Sequence, residues 1–244
     1  MTALPARLVE GGLSVVVPVY DEEPNVVRLG EEILAALDPL SFPFEAIFVD
    51  DGSRDGTSGA VRSLGARDPR VRLVRLEKNA GQSAATVAGV RSARHAFVAT
   101  LDGDGQNDPA DLPKLLAALD QADAVVGRRA KRRDTVVRRL SSRIANGVRR
   151  SILHDGVADT GCALKVFPRD LFLALPAFTS LHRFLPALFR YQGASIAQVD
   201  VGHRPRIAGV SKYGIANRLF RGILDLAGVW WLRRRTVRYR ISPE

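Results

Sequence analysis

The sequence predicts an α/β domain in which a mostly parallel sheet carries helices on both faces. Three observations predict it. Apolar runs rich in β-branched residues recur along the chain, segments of helical periodicity separate them, and an acidic motif follows several of the runs. In sheets of this kind ligands bind beyond the carboxyl ends of the strands, which is where these acids fall.

The first run, "LSVVV" at 13–17, leads into "PVYDEEP". Pro24 stands where a helix can begin, and Val26, Val27, Ile33, Leu34 and Leu37 then form its apolar stripe. The second run, "FEAIFV" at 44–49, leads into "DDGSRDGT", and 57–64 follows with helical periodicity. "VRLV" at 71–74 reads as a third strand, 82–93 as a crossover helix, and "AFVATL" at 96–101 as a fourth strand ending in "DGDGQND". Residues 110–119 read as a further crossover helix before "ADAVV" at 122–126. There is no internal repeat and no low-complexity linker.

Composition bounds the rest. A chain of 244 residues, 46% hydrophobic and 25% charged, fits one globular domain with room for a short appendage. The lone cysteine, Cys162, excludes a disulfide framework within the chain and reads as a small buried hydrophobe. Residues 1–12 hold no signal-peptide core, and no stretch reaches the roughly 20 apolar residues of a spanning helix, so the expectation is a soluble or peripheral protein. With 36 basic against 26 acidic residues, the net charge of +10 favours an anionic partner: nucleotide phosphates, nucleic acid or an acidic membrane surface. Aromatic residues are only 7% and do not interleave with the arginines, which argues against nucleic acid.

"TLDGDGQNDP" at 100–109 is the most informative stretch. Asp102 and Asp104 alternate at a strand end and can point two carboxylates at one place, where unpaired negative charge is costly without a cation. Oxygen-only ligands suit Mg²⁺ or Mn²⁺. A calcium loop counted from Asp102 fails, because its sixth position is Asn107 and its twelfth Pro113. No G-x-G-x-x-G follows the first strand and no Walker lysine loop is present. Asp55, Asp108 and Asp111 read as turn and cap residues.

"VVVPVYDEEPNV", "FVDDGSRDGT", "NAGQSAATVAGV", "TLDGDGQNDP", "VVGRR" and "RIAGVSKY" occur in the order found in glycosyltransferase family 2. Over about residues 12–214 the chain resembles dolichyl-phosphate mannose synthases and bacterial polyprenyl-phosphate glycosyltransferases. The resemblance implies a GT-A-type fold, a nucleotide-sugar donor (GDP-mannose or a UDP-hexose), a divalent metal and inverting transfer onto dolichyl or undecaprenyl phosphate. It assigns Pro18, Tyr20 and Glu22 to the base pocket, sets Asp50 and Asp51 facing the nucleoside and nearby donor groups, and places Asp102, Asp104 and Gln106 at the metal. A cation there neutralises charge on the leaving nucleotide, and Asp104 is counted among the catalytic residues. An ionised phosphate acceptor needs no dedicated base.

By the same resemblance, Arg129 serves catalysis and the acceptor phosphate, while Arg138 and Ser142 in "RRLSS" match an acceptor-phosphate clamp. Val136, Leu140, Ile144, Val148 and Ile152 mark an amphipathic helix, however, so Arg138 reads equally as its wet face; Arg132, Arg133, Arg149 and Arg150 are read that way. Asp159 aligns with an acceptor-side aspartate or makes a turn. Arg206 and Lys212 match a loop that closes on the donor diphosphate, with Gly209 for backbone freedom and Lys212 also counted as catalytic. The four histidines show no metal-ligand spacing, and none is given a catalytic role. At "SLHRFLPALFRYQG" the chain departs from the eukaryotic-type enzymes, which leaves sugar and lipid open.

The expected organisation is a catalytic domain over 1–214 and a basic amphipathic segment over 215–244. In that segment Leu219, Ile223, Leu226, Trp230 and Trp231, flanked by Arg218, Arg221 and Arg233 to Arg235, suit an anionic membrane interface; packing on the domain or on a membrane-protein partner is the alternative. A peripheral enzyme on the cytoplasmic face of the membrane is the resulting expectation. Its competitors are a transferase with a soluble or polysaccharide acceptor and a catalytically idle basic binding domain.

Overall fold

The structure, a computed structural model, describes residues 4–129, 147, 152–153, 156–205 and 215–235, with side chains of the last segment from Leu224 onward. Seven strands form one sheet: β1 (Leu13–Val19), β2 (Phe44–Asp50), β3 (Val71–Arg75), β4 (Phe97–Thr100), β5 (Ala124–Arg129), β6 (Lys165–Pro168) and β7 (Ile196–Val201). Their order is β3-β2-β1-β4-β6-β5-β7. Only β6 is reversed, pairing antiparallel with β4 and β5, while β7 pairs parallel with β5. The mostly parallel sheet expected from the sequence is therefore present.

Alternation along the strands divides the core into two layers. Val15, Val17 and Val19 of β1 with Phe48 of β2 face helices α2 (Glu23–Leu37), α3 (Thr57–Arg67) and α5 (Leu112–Ala118), whereas Val16, Ile47 and Val49 face the opposite side. There α4 (Gln82–Ser92), α6 (Arg169–Leu173), α7 (Leu181–Tyr191) and α8 (Ile215–Arg235) contribute Ala85, Phe172, Phe189 and Val229. A short helix α1 (Ala6–Gly11) precedes β1. Each such fully buried aliphatic or aromatic side chain is worth about 1.5–3 kcal/mol, and continuous apolar strands are what a sheet covered on both faces requires.

The helices follow local chemistry. Pro24 sits in the first turn of α2, and Val26, Leu29, Ile33 and Leu37 are its buried stripe, whereas Val27 and Leu34 are only partly buried. The helix expected over 110–119 is a 3₁₀ turn at Pro109–Asp111 followed by α5, because Pro113, which lacks an N–H, fits only a first helical turn. Strands β6 and β7 and helices α1, α6 and α7 were not among the expected elements. Strand β6 matters most, because it wedges Lys165 between Thr100 of β4 and Val126 of β5.

In α8, Leu226, Val229 and Leu232 pack with α7 in the second core layer, and the Arg233 guanidinium lies 5.2 Å from the Tyr191 ring centroid. Leu224 and Trp231, two turns apart, are each 57% exposed. Leu226, one of the stripe proposed for a membrane, is thus part of the face packed on the domain.

Candidate active site

The cleft begins where β1 and β2 end. After Pro18, Val19 and Tyr20, the backbone takes a left-handed turn at Asp21 (φ 52°), and the Asp21 N–H donates to Ser53 Oγ at 2.9 Å. Asp21 Oδ1 accepts from the Arg54 N–H at 2.9 Å, and the Glu22 N–H donates to Thr57 Oγ1 at 2.9 Å. Glu22 Oε2 accepts from Asn25 Nδ2 at 2.6 Å. The two strand-end turns are therefore one wall.

Asp50 is fully buried: Oδ1 accepts from the Ser53 N–H at 2.8 Å and Oδ2 from the Ser58 hydroxyl. Asp51 holds the entry to α4, accepting from the N–H groups of Ala80 and Gly81 at 2.7 and 2.8 Å. Both carboxylates are engaged by protein donors and brace the wall from within.

Strand β4 delivers the acids. A Cβ on Gly103 would lie 2.5 Å from Val19 Cγ1 and 3.0 Å from the Pro18 carbonyl, so the acidic loop lies directly against the end of β1. Gln82, the first residue of α4, donates from Nε2 to Asp102 Oδ1 at 2.6 Å. Asp104, buried, accepts from the Gln106 N–H at 3.1 Å. Burial, and then the charge of Asp104, push the Asp102 carboxyl up to about 6. A carboxyl raised by burial and by a neighbouring carboxylate marks a site short of positive charge.

Among the described residues no group of three or more His, Cys, Asp or Glu can hold a metal. Two carboxylates and the Gln106 amide nevertheless fit a hard ion such as Mg²⁺, which takes few protein ligands and completes its shell with water and substrate phosphate. From the far side, the Arg204 N–H donates to the Gln106 carbonyl at 2.9 Å, and its guanidinium pairs with Glu32 and Asp108, each at 2.7 Å. Asp108 caps the 3₁₀ turn as expected, accepting from the Ala110 N–H at 3.0 Å. Asp111 does more than shape a turn, because its buried carboxylate accepts from the Gly202 N–H at 2.7 Å and ties the end of β7 to this loop.

Across β6 the charge changes sign. Arg129, at the end of β5, grips Asp159 in a bidentate pair: Nε to Oδ2 at 2.7 Å and Nη2 to Oδ1 at 2.8 Å, with both side chains largely buried. Buried Lys165 donates to the Cys162 carbonyl, and burial pulls its pKa below the ordinary lysine value while Asp102 and Asp159 partly oppose that fall. Cys162 is buried as expected, beside Gly127 and Asn107.

Residues 14–174 match the sequence profile described as Glycosyl transferase family 2. The chain belongs to this family. It is 38% identical over 237 residues to a dodecaprenyl-phosphate galacturonate synthase of Rhizobium johnstonii, covering 95% of this chain and 69% of that protein. It is 39% identical over 219 residues to an undecaprenyl-phosphate 4-deoxy-4-formamido-L-arabinose transferase of Pseudomonas aeruginosa, covering 88% of this chain and 63% of that protein. The chain thus spans about two thirds of the length of such relatives. Among solved structures, glucosyl-3-phosphoglycerate synthase of Mycobacterium tuberculosis with Mg²⁺ and uridine diphosphate superposes with a TM-score of 0.71 at 20% identity, over 91% of this chain and 82% of that one. This likeness establishes the GT-A-type fold.

For this family 2 glycosyltransferase, the structure gathers Pro18, Tyr20, Glu22, Asp50, Asp51, Asp102, Asp104 and Gln106 along one edge of the sheet, at the carboxyl ends of β1, β2 and β4. Arg129 and Asp159 stand beyond them at the end of β5. Arg138, Ser142, Arg206, Gly209 and Lys212, the arginines at 132, 133, 149 and 150, and most of the amphipathic stripe at 136–152 lie outside the described residues. Sequence reasoning passed over Arg204 and Lys165 and gave His182 no catalytic role. A lysine inside the apolar run "ALKVF" was a readable signal, since charge in a buried strand needs a reason. Arg204 and His182 acquire their partners only through the fold.

Proposed function

We propose that this glycosyltransferase moves a sugar from a nucleoside diphosphate to polyprenyl phosphate, with inversion, at the cytoplasmic surface of a membrane. The observation that carries this reading is the change of charge across β6, from the acids Asp102 and Asp104 to the cations Arg129 and Lys165. A diphosphate leaving group held through a divalent metal suits the first, and a phosphate acceptor suits the second. The named activities of the relatives, both on polyprenyl phosphates, support the acceptor class.

On this reading Pro18, Tyr20 and Glu22 line the base, braced by Asp50 and Asp51, and Asp102, Asp104 and Gln106 hold Mg²⁺ or Mn²⁺. The ion, when bound, supplies positive charge to the departing diphosphate. Arg129 orients the acceptor so that a phosphate oxygen attacks the anomeric carbon as its bond to the diphosphate breaks. Asp159 holds the Arg129 fork in the plane an incoming phosphate needs. Arg138, Ser142, Arg206 and Lys212 complete the two phosphate sites. Because the acceptor oxygens are ionised near neutrality, no side chain has to remove a proton.

The exposed Leu224 and Trp231, with Arg233, Arg234 and Arg235 beyond them, supply an apolar and basic edge for a lipid surface or a membrane-protein partner. Among the described residues no helix is long and apolar enough to cross a membrane. The test is transfer from labelled GDP-mannose, UDP-glucose, UDP-galacturonate and UDP-4-deoxy-4-formamido-L-arabinose to undecaprenyl phosphate in detergent, beside water-soluble acceptors. Label appearing in an acid-labile lipid phosphate supports the proposal; label only in soluble acceptors refutes it.

A further inference from the structure

One polar contact joins the motif "NAGQSAATVAGV" to the divergent stretch "SLHRFLPALFRYQG". His182, in the first turn of α7, places Nδ1 2.8 Å from the hydroxyl of Ser83, in the first turn of α4. The neighbouring Gln82 is the residue that donates to Asp102. One turn of α4 therefore touches the acidic pair with one residue and the imidazole with the next. Burial, then the charges of Arg183 and Lys165, hold the imidazole down to about 3, so it is neutral at any physiological pH.

The placement of this neutral group is specific. Lys165, whose charge it senses, lies on β6, between the acids of β4 and Arg129 of β5. Through Ser83 and its neighbour Gln82, His182 is linked to Asp102 by one turn of α4. Nδ1 is occupied by Ser83, while Nε2 has no hydrogen-bond partner among the described residues. His182 is partly exposed, so this nitrogen is open to a ligand.

We propose that His182 Nε2 hydrogen-bonds a hydroxyl of the transferred sugar, making the Ser83–His182 pair a sugar-recognition contact. The inference rests on the glycosyl-transfer reading above and deepens it. Between a diphosphate and an acceptor phosphate, the uncharged hydroxyl-bearing part of the complex is the sugar. A neutral imidazole suits hydroxyls, whereas either phosphate is better served by the cations nearby. Neutrality also suits the chemistry: positive charge grows on the sugar ring as its bond to the leaving group stretches, and an imidazolium there would oppose it.

Two amide substitutions separate recognition from scaffolding, since asparagine nitrogen reaches the Nδ1 position and glutamine nitrogen the Nε2 position. We expect His182→Asn and His182→Ala to lower kcat/KM for the nucleotide sugar by about thirtyfold, the scale of a lost hydrogen bond to substrate. His182→Gln should recover about tenfold of that loss, and the Kd for the free nucleoside diphosphate should stay within about twofold in all three. Full activity in His182→Ala would overturn the inference, as would recovery by Asn in place of Gln or a parallel loss of nucleotide binding. A wild-type chain that turns over no nucleotide sugar overturns the parent reading and this one together; an active wild type beside a fully active His182→Ala overturns this one alone.

Discussion

The two halves of the cleft, proposed above to take donor and acceptor, are built differently. In the donor half, carboxylates at the ends of β1, β2 and β4 are held mainly by backbone N–H groups and hydroxyls from nearby turns: Asp50 by Ser53 and Ser58, Asp51 by Ala80 and Gly81, Asp104 by Gln106. In the acceptor half, charge is set against charge or buried outright, as in Arg129 with Asp159 and in Lys165. Backbone donors shape a rigid anion-rich wall at little cost. A buried ion pair is more expensive, and its cations remain available to an incoming phosphate only if that phosphate competes with the resident acid.

The comparison can be broken at its strongest point first. Asp104→Ala should lower turnover by about a thousandfold or more while leaving the thermal midpoint near wild type, because the acid serves the leaving group more than the fold. A near-normal rate, measured with saturating Mn²⁺, would remove the donor half from the mechanism. Next, Arg129→Ala should destabilise the domain by about 3–5 kcal/mol in urea unfolding, because the buried Asp159 carboxylate loses its bidentate cation. Arg129→Ala combined with Asp159→Ala should regain most of that stability and still use the acceptor poorly. Recovery of acceptor KM in the double variant would make the pair purely structural.

Away from the cleft, Glu45 measures what a buried pair contributes without function. Burial alone would raise its pKa, but hydrogen bonds from Arg72, the Arg94 N–H and Ser14 outweigh this and hold it below the ordinary 4.5. A carboxylate depressed in the folded state adds stability that is present above the unfolded value and lost as pH falls through the folded one. Unfolding free energy should therefore drop below about pH 4.5 in wild type, and Glu45→Gln should flatten that drop after a cost of about 1–3 kcal/mol at pH 7. An unchanged pH profile in the variant would remove Glu45 from the account. The smallest expected effect is at the edge of α8, where Leu224→Ser with Trp231→Ser should weaken binding to anionic vesicles by about tenfold without altering turnover on detergent-solubilised acceptor. Unaltered vesicle binding would assign that face to another partner.

The same contrast explains what was legible in the sequence. The donor half is written in short contiguous motifs, and Asp50 with Ser53 and Asp104 with Gln106 find donors within three residues, although Asp51 reaches Ala80 and Gly81 of a second motif. Its strands β1 and β2 have seven residues each, rich in β-branched side chains and buried on both faces, which is a strong pattern. The acceptor half is assembled from distant segments: Arg129 and Asp159 are 30 residues apart, and Ser83 and His182 are 99 apart. Strand β6 has four residues, and β7 is half-exposed with a mixed pattern, so neither carries a clear period. Without β6 there was no way to see that Lys165 lies between β4 and β5.

The most direct measurement is binding of the nucleoside diphosphate with Mn²⁺, and of undecaprenyl phosphate in detergent, to Asp104→Ala and to the Arg129→Ala, Asp159→Ala double variant. A crossed pattern is predicted: the first loses the nucleotide and keeps the lipid phosphate, the second loses the lipid phosphate and keeps the nucleotide. Parallel losses of both ligands in either variant would contradict a cleft divided into a donor half and an acceptor half.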